Sequence, residues 1–500
     1  MRSNLADLVR EAAVRRPAHT ALVSETRTLT WAEADAEVDA VAAALQARGL
    51  AQGDRVAMVL GNCWEFVAVY FGALRGGFVA VPLNPGLTEY ELAYVLADAS
   101  PRLAFVELAE LAAVRGAAPD LDLVLVGGPG DPADAATSFG ALVEAGQAPA
   151  AVVTDPDQLA LLLFTSGTSG RAKGAMLSHR ALLANVANVA AVDTPSVRED
   201  DVVLLVLPLF HVYSLNGTLT AVTDQAATAV IVERFDPVGS LEVVVREGVT
   251  NIPGAPGMFV AWSRLPGLRE AFAGVRMLFT GAAPMSPSVL LAIAEASGLP
   301  VFEGYGLTEA APGVSSTLVG GVAKPGSVGR PLPGVEVRLL DEEGGDVEDG
   351  DPGEIWIRGA NLFDGYWPDG AGGPGADGWF GTGDVAYLDD DGDLVLVDRR
   401  KELVIVNGFN VYPREVEDAL MGHPDIAEVA VIGIPDPRTG EAVKVYVVPR
   451  AGAALDQAAV SAYAATRLAR FKCPTVVVLV DTLPHSATGK VAKGLLRDAG

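Results

Sequence analysis

Residues 28–107 alternate two kinds of apolar pattern. Short, nearly continuous apolar runs at 55–60 (RVAMVL), 78–83 (FVAVPL) and 103–106 predict buried strands. Between them, 64–74 and 88–96 carry apolar residues at helical spacing. Continuous strands alternating with helices predict a parallel sheet covered by helices on both faces. The same apolar runs return at 159–164, 202–207, 229–232 and 275–279, which extends the parallel-rich architecture along the chain. After Gly326 the runs at 335–340, 353–358 and 394–397 are separated by Gly/Asp turns, the pattern of an antiparallel β subdomain. From Asp398 the alternation starts again. A helix at 414–421, strands at 429–434 and 444–448, a helix at 457–468 and a strand at 475–480 make a small α+β unit. The expected fold class is therefore α/β, with a large N-terminal domain over 1–397, a hinge at 398–402 and a small mobile C-terminal lid domain over 403–500.

The stretch 116–146, rich in Ala, Gly, Pro and Asp, reads as a surface excursion with one short strand at 121–126. The N-terminus has Leu5, Leu8, Val9 and Ala12 at helical spacing with charges interleaved, not the apolar core of a signal peptide. The longest strongly apolar run, 202–210, is broken by Pro208 and falls short of the roughly 20 residues of a membrane span. A cytoplasmic protein without a membrane span is the expectation.

A net charge of −27 argues against nucleic acid or an anionic membrane as partner, since both repel it. Any site for anions must then gather its own local cations. The two cysteines, Cys63 and Cys473, belong to no C-x-x-C or Cys/His cluster, so neither a thiolate metal site nor a disulfide framework is expected. The acidic turn 389–393 (DDDGD) lacks the ligand spacing and terminal Glu of a calcium loop and reads as a solvated hairpin.

Residues 164–176 (FTSGTSGRAKGAM) follow a strand and precede a helical stretch that begins at Ser178. Glycines let backbone N–H groups approach a polyphosphate, hydroxyls add donors, and Lys173 adds charge. The spacing is not that of a Walker A loop. This segment resembles the phosphate loop of the acyl-adenylate-forming (AMP-binding) superfamily, which contains acyl-CoA synthetases, peptide-synthetase adenylation domains and firefly-type luciferases. Four more signatures of that superfamily follow in its order: EGYGLTE at 303–309, GTGD at 381–384, DRRKELVIVNGFNVYP at 398–413 and PHSATGK at 484–490. The resemblance spans roughly residues 5–497 and is closest to bacterial fatty acyl-CoA synthetases and 4-coumarate:CoA ligases.

The resemblance implies ATP and Mg²⁺, with CoA as acceptor. It assigns ATP binding to Thr165, Ser166, Gly167, Thr168, Ser169, Gly170 and Lys173. Tyr305 would stack on adenine, with Gly304 and Gly306 clearing space around the base. Thr308 would donate to the α-phosphate, and Glu309 offers a carboxylate to Mg²⁺. Asp384 and Arg399 fall on the ribose motif, and Lys401 on the pivot of the small domain. Lys490 is implied as the catalytic cation. Carboxylate attacking phosphate brings two anions together, and a fixed ammonium offsets their repulsion.

His211, in LPLFHVYSLNG, matches a ring that lines the acyl site and gates the thiol tunnel of acyl-CoA synthetases; peptide-synthetase domains carry aspartate there for an α-amino group. The implied acyl pocket comprises His211, Tyr213, Asn216, Gly217, Gly281, Ala282, Gly306 and Gly313. It carries no charge, which suits an uncharged tail such as a medium- or long-chain fatty acid. Gly408 matches the turn that pantetheine threads past, and Ile405 departs from the lysine usual in plant 4-coumarate ligases. The alternatives are an aryl or cinnamate-type acid, an acyl carrier protein as acceptor, and a non-catalytic nucleotide-binding protein. A homodimer is compatible with the sequence.

Overall fold

The structure, a computed structural model, describes residues 2–498 apart from 128–136, 145–147, 154, 166–171, 284, 349, 400, 401, 403, 407, 408, 437–439, 469 and 486–489; of 398, 399, 405, 409, 410, 440 and 498 it describes the backbone alone.

Among the described residues two large sheets form the body. The first runs in the order Thr137–Ser138, Asp122–Val126, Leu103–Glu107, Arg55–Val59, Val79–Leu83, Leu159–Thr165, all parallel, and ends on antiparallel Lys173–Ser178. The strand Arg55–Val59 shows why its sequence is apolar without a break. Val56 and Met58 point into one core, while Ala57 and Val59 point into another on the opposite face. In the second sheet Thr20–Val23, Thr228–Ile231, Val202–Leu205, Asn251–Gly254, Met277–Thr280 and Val301–Gly306 are parallel, and Thr28–Thr30, Gly313–Ser316 and Arg330–Pro331 flank them antiparallel.

The helices obey local rules. Thr30 and Thr88 form capping boxes with Glu33 and Glu91 at the starts of Trp31–Ala47 and Glu89–Ala99. Cys63 caps Trp64–Arg75, its Sγ accepting from the Phe66 N–H at 3.4 Å, and burial pushes its thiol well above the ordinary value. Cys63 is thus a structural thiol. No helix among the described residues is long and apolar enough to cross a membrane.

A four-stranded antiparallel sheet follows, in the order Val335–Leu340, Gly353–Gly359, Phe380–Leu388, Leu394–Arg399. The acidic turn 389–393 closes its last hairpin around a cation: the Lys324 ammonium lies 2.6 Å from both Asp389 and Asp391, and Arg330 pairs with Asp393 at 2.8 Å. The carboxylates that a calcium loop would supply are engaged by side chains of the chain itself. The remaining strands, from Val404–Val406 onward, form their own sheet around a core of Val404, Val416, Leu420, Val431, Val445 and Val460. The helix Pro413–Met421 sits between this sheet and the antiparallel one, where Arg414 Nη1 donates to the Leu396 carbonyl at 3.3 Å.

The helix expected from Ser178 is present as His179–Ala190, capped by Ser178. What the sequence did not predict is the strand before it: Leu159–Thr165 pairs antiparallel with Lys173–Ser178. The cause is a period of two: Ala175 and Leu177 are buried, while the other edge of the strand bonds to 365–367 through Met176 N to Gly365 O and Trp367 N to Gly174 O. Thr165 and Lys173, at the two ends of the candidate phosphate segment, pair in register.

Candidate active site

The candidate residues collect at the carboxyl ends of parallel strands, where an open α/β sheet leaves a crevice for ligands. Leu159–Thr165 delivers the hairpin loop; Met277–Thr280 delivers Gly281 and Ala282; Val301–Gly306 delivers Tyr305, Thr308 and Glu309; Val202–Leu205 runs on to His211. All point one way because parallel strands end on one side. Ala282 holds a left-handed φ of 68°, a strained conformation for a residue with a Cβ.

Tyr305 and Asp384 are joined directly, with the tyrosine hydroxyl donating to Asp384 Oδ2 at 2.6 Å. This bond ties the parallel sheet to the antiparallel one. Asp384 also pairs in register with Arg399, so one ladder sets the two residues of the ribose motif side by side. Gly304 and Gly306 are glycines for a reason other than room for a base. A Cβ on Gly306 would lie 2.1 Å from the Pro312 carbonyl oxygen, and one on Gly304 would lie 2.6 Å from Phe279 Cζ. The chain must fold back tightly here, with Leu307 N bonded to Pro312 O.

Glu309 lies in the short turn Thr308–Ala310 and accepts at Oε1 from the Tyr366 hydroxyl at 2.6 Å. The Tyr366 ring in turn lies under the Lys173 ammonium, 5.2 Å from centroid to Nζ. Among the described residues no Lys, Arg or His pairs with Glu309, and Tyr366 holds only one of its two oxygens. A carboxylate so presented has the donor chemistry of a hard divalent cation. Sequence reasoning missed Tyr366; the GYW triplet at 365–367 carries no phosphate- or metal-binding pattern, and only folding brings it to Glu309.

His211 begins a wall continued by the π-helical turn Tyr213–Leu219, an irregularity frequent at functional sites. The Tyr213 N–H donates to His211 Nδ1 at 3.4 Å, which leaves Nε2 to carry the ring proton. The Tyr213 ring packs 6.2 Å from Phe279, its hydroxyl turned to the Phe279 carbonyl at 3.4 Å. Cβ atoms on Gly217 and Gly281 would stand 3.3 and 3.5 Å from this ring. Asn216 is buried, with its amide donating to the Ala311 and Leu182 carbonyls at 2.6 and 3.2 Å. Gly313 is held by its N–H to Asn185 Oδ1 at 3.0 Å.

Lys490 reaches this wall from the far end of the sequence. Burial, and second the nearby Lys490 charge, push the His211 imidazole down to about 4. The histidine is therefore neutral at physiological pH. Of the remaining candidates, Ser166, Gly167, Thr168, Ser169, Gly170, Lys401 and Gly408 lie outside the described residues, and Arg399 is described by its backbone alone.

Two outcomes follow from this geometry. Gly306→Ala should lower the free energy of unfolding by roughly 2 kcal/mol or more, measured by chemical denaturation, because its methyl group would overlap a backbone carbonyl. Lys490→Ala should move the His211 titration upward in an NMR pH series. Removing a nearby positive charge favours the imidazolium, while burial still holds the ring below its ordinary 6.5.

A family model described as AMP-binding enzyme matches residues 9–367, and one described as AMP-binding enzyme C-terminal domain matches 415–490. A feruloyl-CoA synthase from Amycolatopsis sp is 38% identical, over 96% of this chain and 96% of that protein. A long-chain-fatty-acid–CoA ligase from Bacillus subtilis (strain 168) is 32% identical, over 98% of this chain and 93% of that protein. Among solved structures, ATP-bound MatB from Rhodopseudomonas palustris overlays with a TM-score of 0.90 at 32% identity, covering 100% of this chain and 99% of that one. The chain belongs to the AMP-binding enzyme family.

Proposed function

We propose that this protein is an AMP-forming acid–CoA ligase that activates a carboxylic acid with an uncharged tail. The observation that carries the proposal is the joining of Tyr305 to Asp384 and of Glu309 to Tyr366 under the Lys173 ammonium, with the Lys490 charge near enough to act on His211. In the first half-reaction the acid's carboxylate oxygen attacks the α-phosphorus of ATP; the bond to the bridging oxygen breaks and pyrophosphate leaves. Lys490 offsets the charge that builds up as the anions meet. Tyr305 and Asp384 hold the nucleoside, Thr308 donates to the α-phosphate, and Lys173 steers the outer phosphates. The free oxygen of Glu309 would hold Mg²⁺, which when bound neutralises phosphate charge. In the second half-reaction the CoA thiolate attacks the acyl carbon, the carbon–oxygen bond of the mixed anhydride breaks, and AMP leaves. The C-terminal domain, 403–500, turns about Lys401 in the hinge 398–402 between the two, withdrawing Lys490 and opening a path past Gly408.

The tail first expected, a medium- or long-chain fatty acid, has the B. subtilis relative in its favour. An aryl acid is the second reading, and Tyr213 favours it. Its ring packs beside Gly217 and Gly281 and lies 6.2 Å from the Phe279 ring, an aromatic pair that suits a planar tail. No basic side chain belongs to the pocket named for the tail, so dicarboxylates should be poor substrates.

ATP–pyrophosphate exchange and acyl-CoA formation, measured across alkyl, aryl and dicarboxylic acids, test this reading. Exchange with no monocarboxylic acid would sink it. Product formed only with a phosphopantetheinylated carrier protein in place of CoA would move the acceptor. Lys490→Ala should lose on the order of 10²–10³ in exchange rate yet still convert preformed acyl-AMP to thioester; equal loss of both steps would contradict the assigned role. Tyr213→Ala should raise kcat/KM for longer or bulkier acids by about tenfold over wild type, since loss of the ring opens room beside Gly217 and Gly281.

A further inference from the structure

The Lys490 loop needs a rigid base, because an ammonium at the end of a flexible chain neutralises nothing in particular. The residues on either side of Lys490 are drawn together. Ala492 N donates to the Pro484 carbonyl at 2.8 Å, and His485 bridges Val491. One limb is held from outside by His485 Nε2 against Glu428 at 3.1 Å. The other limb is held by a side chain that no part of the mechanism above uses. Lys493 Nζ lies 3.2 Å from Glu402 and 2.8 Å from Glu417, and all three side chains are largely buried.

These two carboxylates come from different elements. Glu402 closes the hinge segment, just ahead of the strand Val404–Val406. Glu417 belongs to the helix Pro413–Met421, and its Oε1 also accepts from the Val431 N–H at 2.8 Å, which fixes it to the sheet. One ammonium, three residues from Lys490, therefore fastens the loop base to the hinge and to the core of the rotating unit. Two anions sharing one cation in a partly buried setting are more constrained than an exposed pair, because neither can leave without stranding a charge.

We propose that Lys493 is a positioning residue for adenylation: it couples the hinge to the Lys490 loop, so that a turn of the small domain carries the ammonium to and from the site as a rigid unit. This rests on the adenylation role assigned to Lys490 above. The effect belongs to the first half-reaction, in which Lys490 acts, and leaves the second unchanged.

The full-length protein carrying Lys493→Met, Lys493→Arg or Glu402→Gln tests it. Lys493→Met should lower kcat for ATP–pyrophosphate exchange by about 10- to 100-fold, the cost of misplacing a catalytic group by roughly 1 Å. KM for ATP and thioester formation from preformed acyl-AMP should stay near wild type. Lys493→Arg, which keeps the charge, should recover most of the rate. Glu402→Gln keeps the Glu417 pair and carries the test if Lys493→Met does not fold; it should show the same selective loss, smaller in size. Wild-type exchange in Lys493→Met, or parallel loss of both half-reactions that Lys493→Arg does not relieve, overturns the proposal. Lys490→Ala is measured alongside. Normal exchange in that variant removes the adenylation reading and this proposal with it, whereas loss there with none in Lys493→Met overturns this proposal alone.

Discussion

The charge of one ammonium, acting on a neutral imidazole from the far end of the sequence, is the electrostatic constraint on which the candidate site depends. Lys490 and His211 lie far apart in sequence, yet the lysine charge is felt at the histidine ring and helps to hold it unprotonated. Burial alone would already favour the neutral ring; the cation adds repulsion against any proton that would join it. Such a pairing keeps one positive charge, not two, at the place where anions are to be gathered. That economy matters in a chain whose net charge is −27. Elsewhere cations neutralise local acid, as Lys324 and Arg330 do in the turn 389–393.

The parallel sheets make the meeting point. Because their strands end on the same side, loops distant in sequence arrive side by side, and each brings a different chemistry. The sheets alone do not complete the site. The antiparallel subdomain contributes Asp384 to Tyr305 and Tyr366 to Glu309, two short hydrogen bonds that orient a phenol toward a carboxylate and a carboxylate toward a phenol. Among the described residues, Glu309 keeps a second carboxylate oxygen for a ligand. The glycines serve the chain path as much as any ligand. Gly306 exists because Pro312 folds back against it, and that reversal positions the turn carrying Thr308 and Glu309.

Much of the fold was legible in the apolar periodicity. The strands at 55–60, 78–83, 103–106 and 335–340 and the helices at 64–74 and 414–421 fall within a residue or two of their observed ends, because their burial pattern is local and strong. The strand Lys173–Ser178 was not legible. Its pattern is short, it adjoins a loop, and its partners come from 159–165 and 365–367. Tyr366 and Lys493 went unread for the same reason: each acts through a carboxylate that only folding brings near. The burial of Asn216 in the π-helical turn Tyr213–Leu219, with its amide on the Ala311 carbonyl, likewise depends on chain far away in sequence.

The sequence by itself determined the fold class, the order of the motifs and the chemical types gathered for the site. Those follow from local patterning and from residue identities that do not depend on distance. Tertiary structure alone decided which of those groups touch. It paired Leu159–Thr165 with Lys173–Ser178, joined Tyr305 to Asp384 and Tyr366 to Glu309, placed the Tyr213 ring against Gly217 and Gly281, and set the Lys490 charge where it acts on His211. Contacts across hundreds of residues depend on how sheets stack and strands end, and no local window of the chain contains that information.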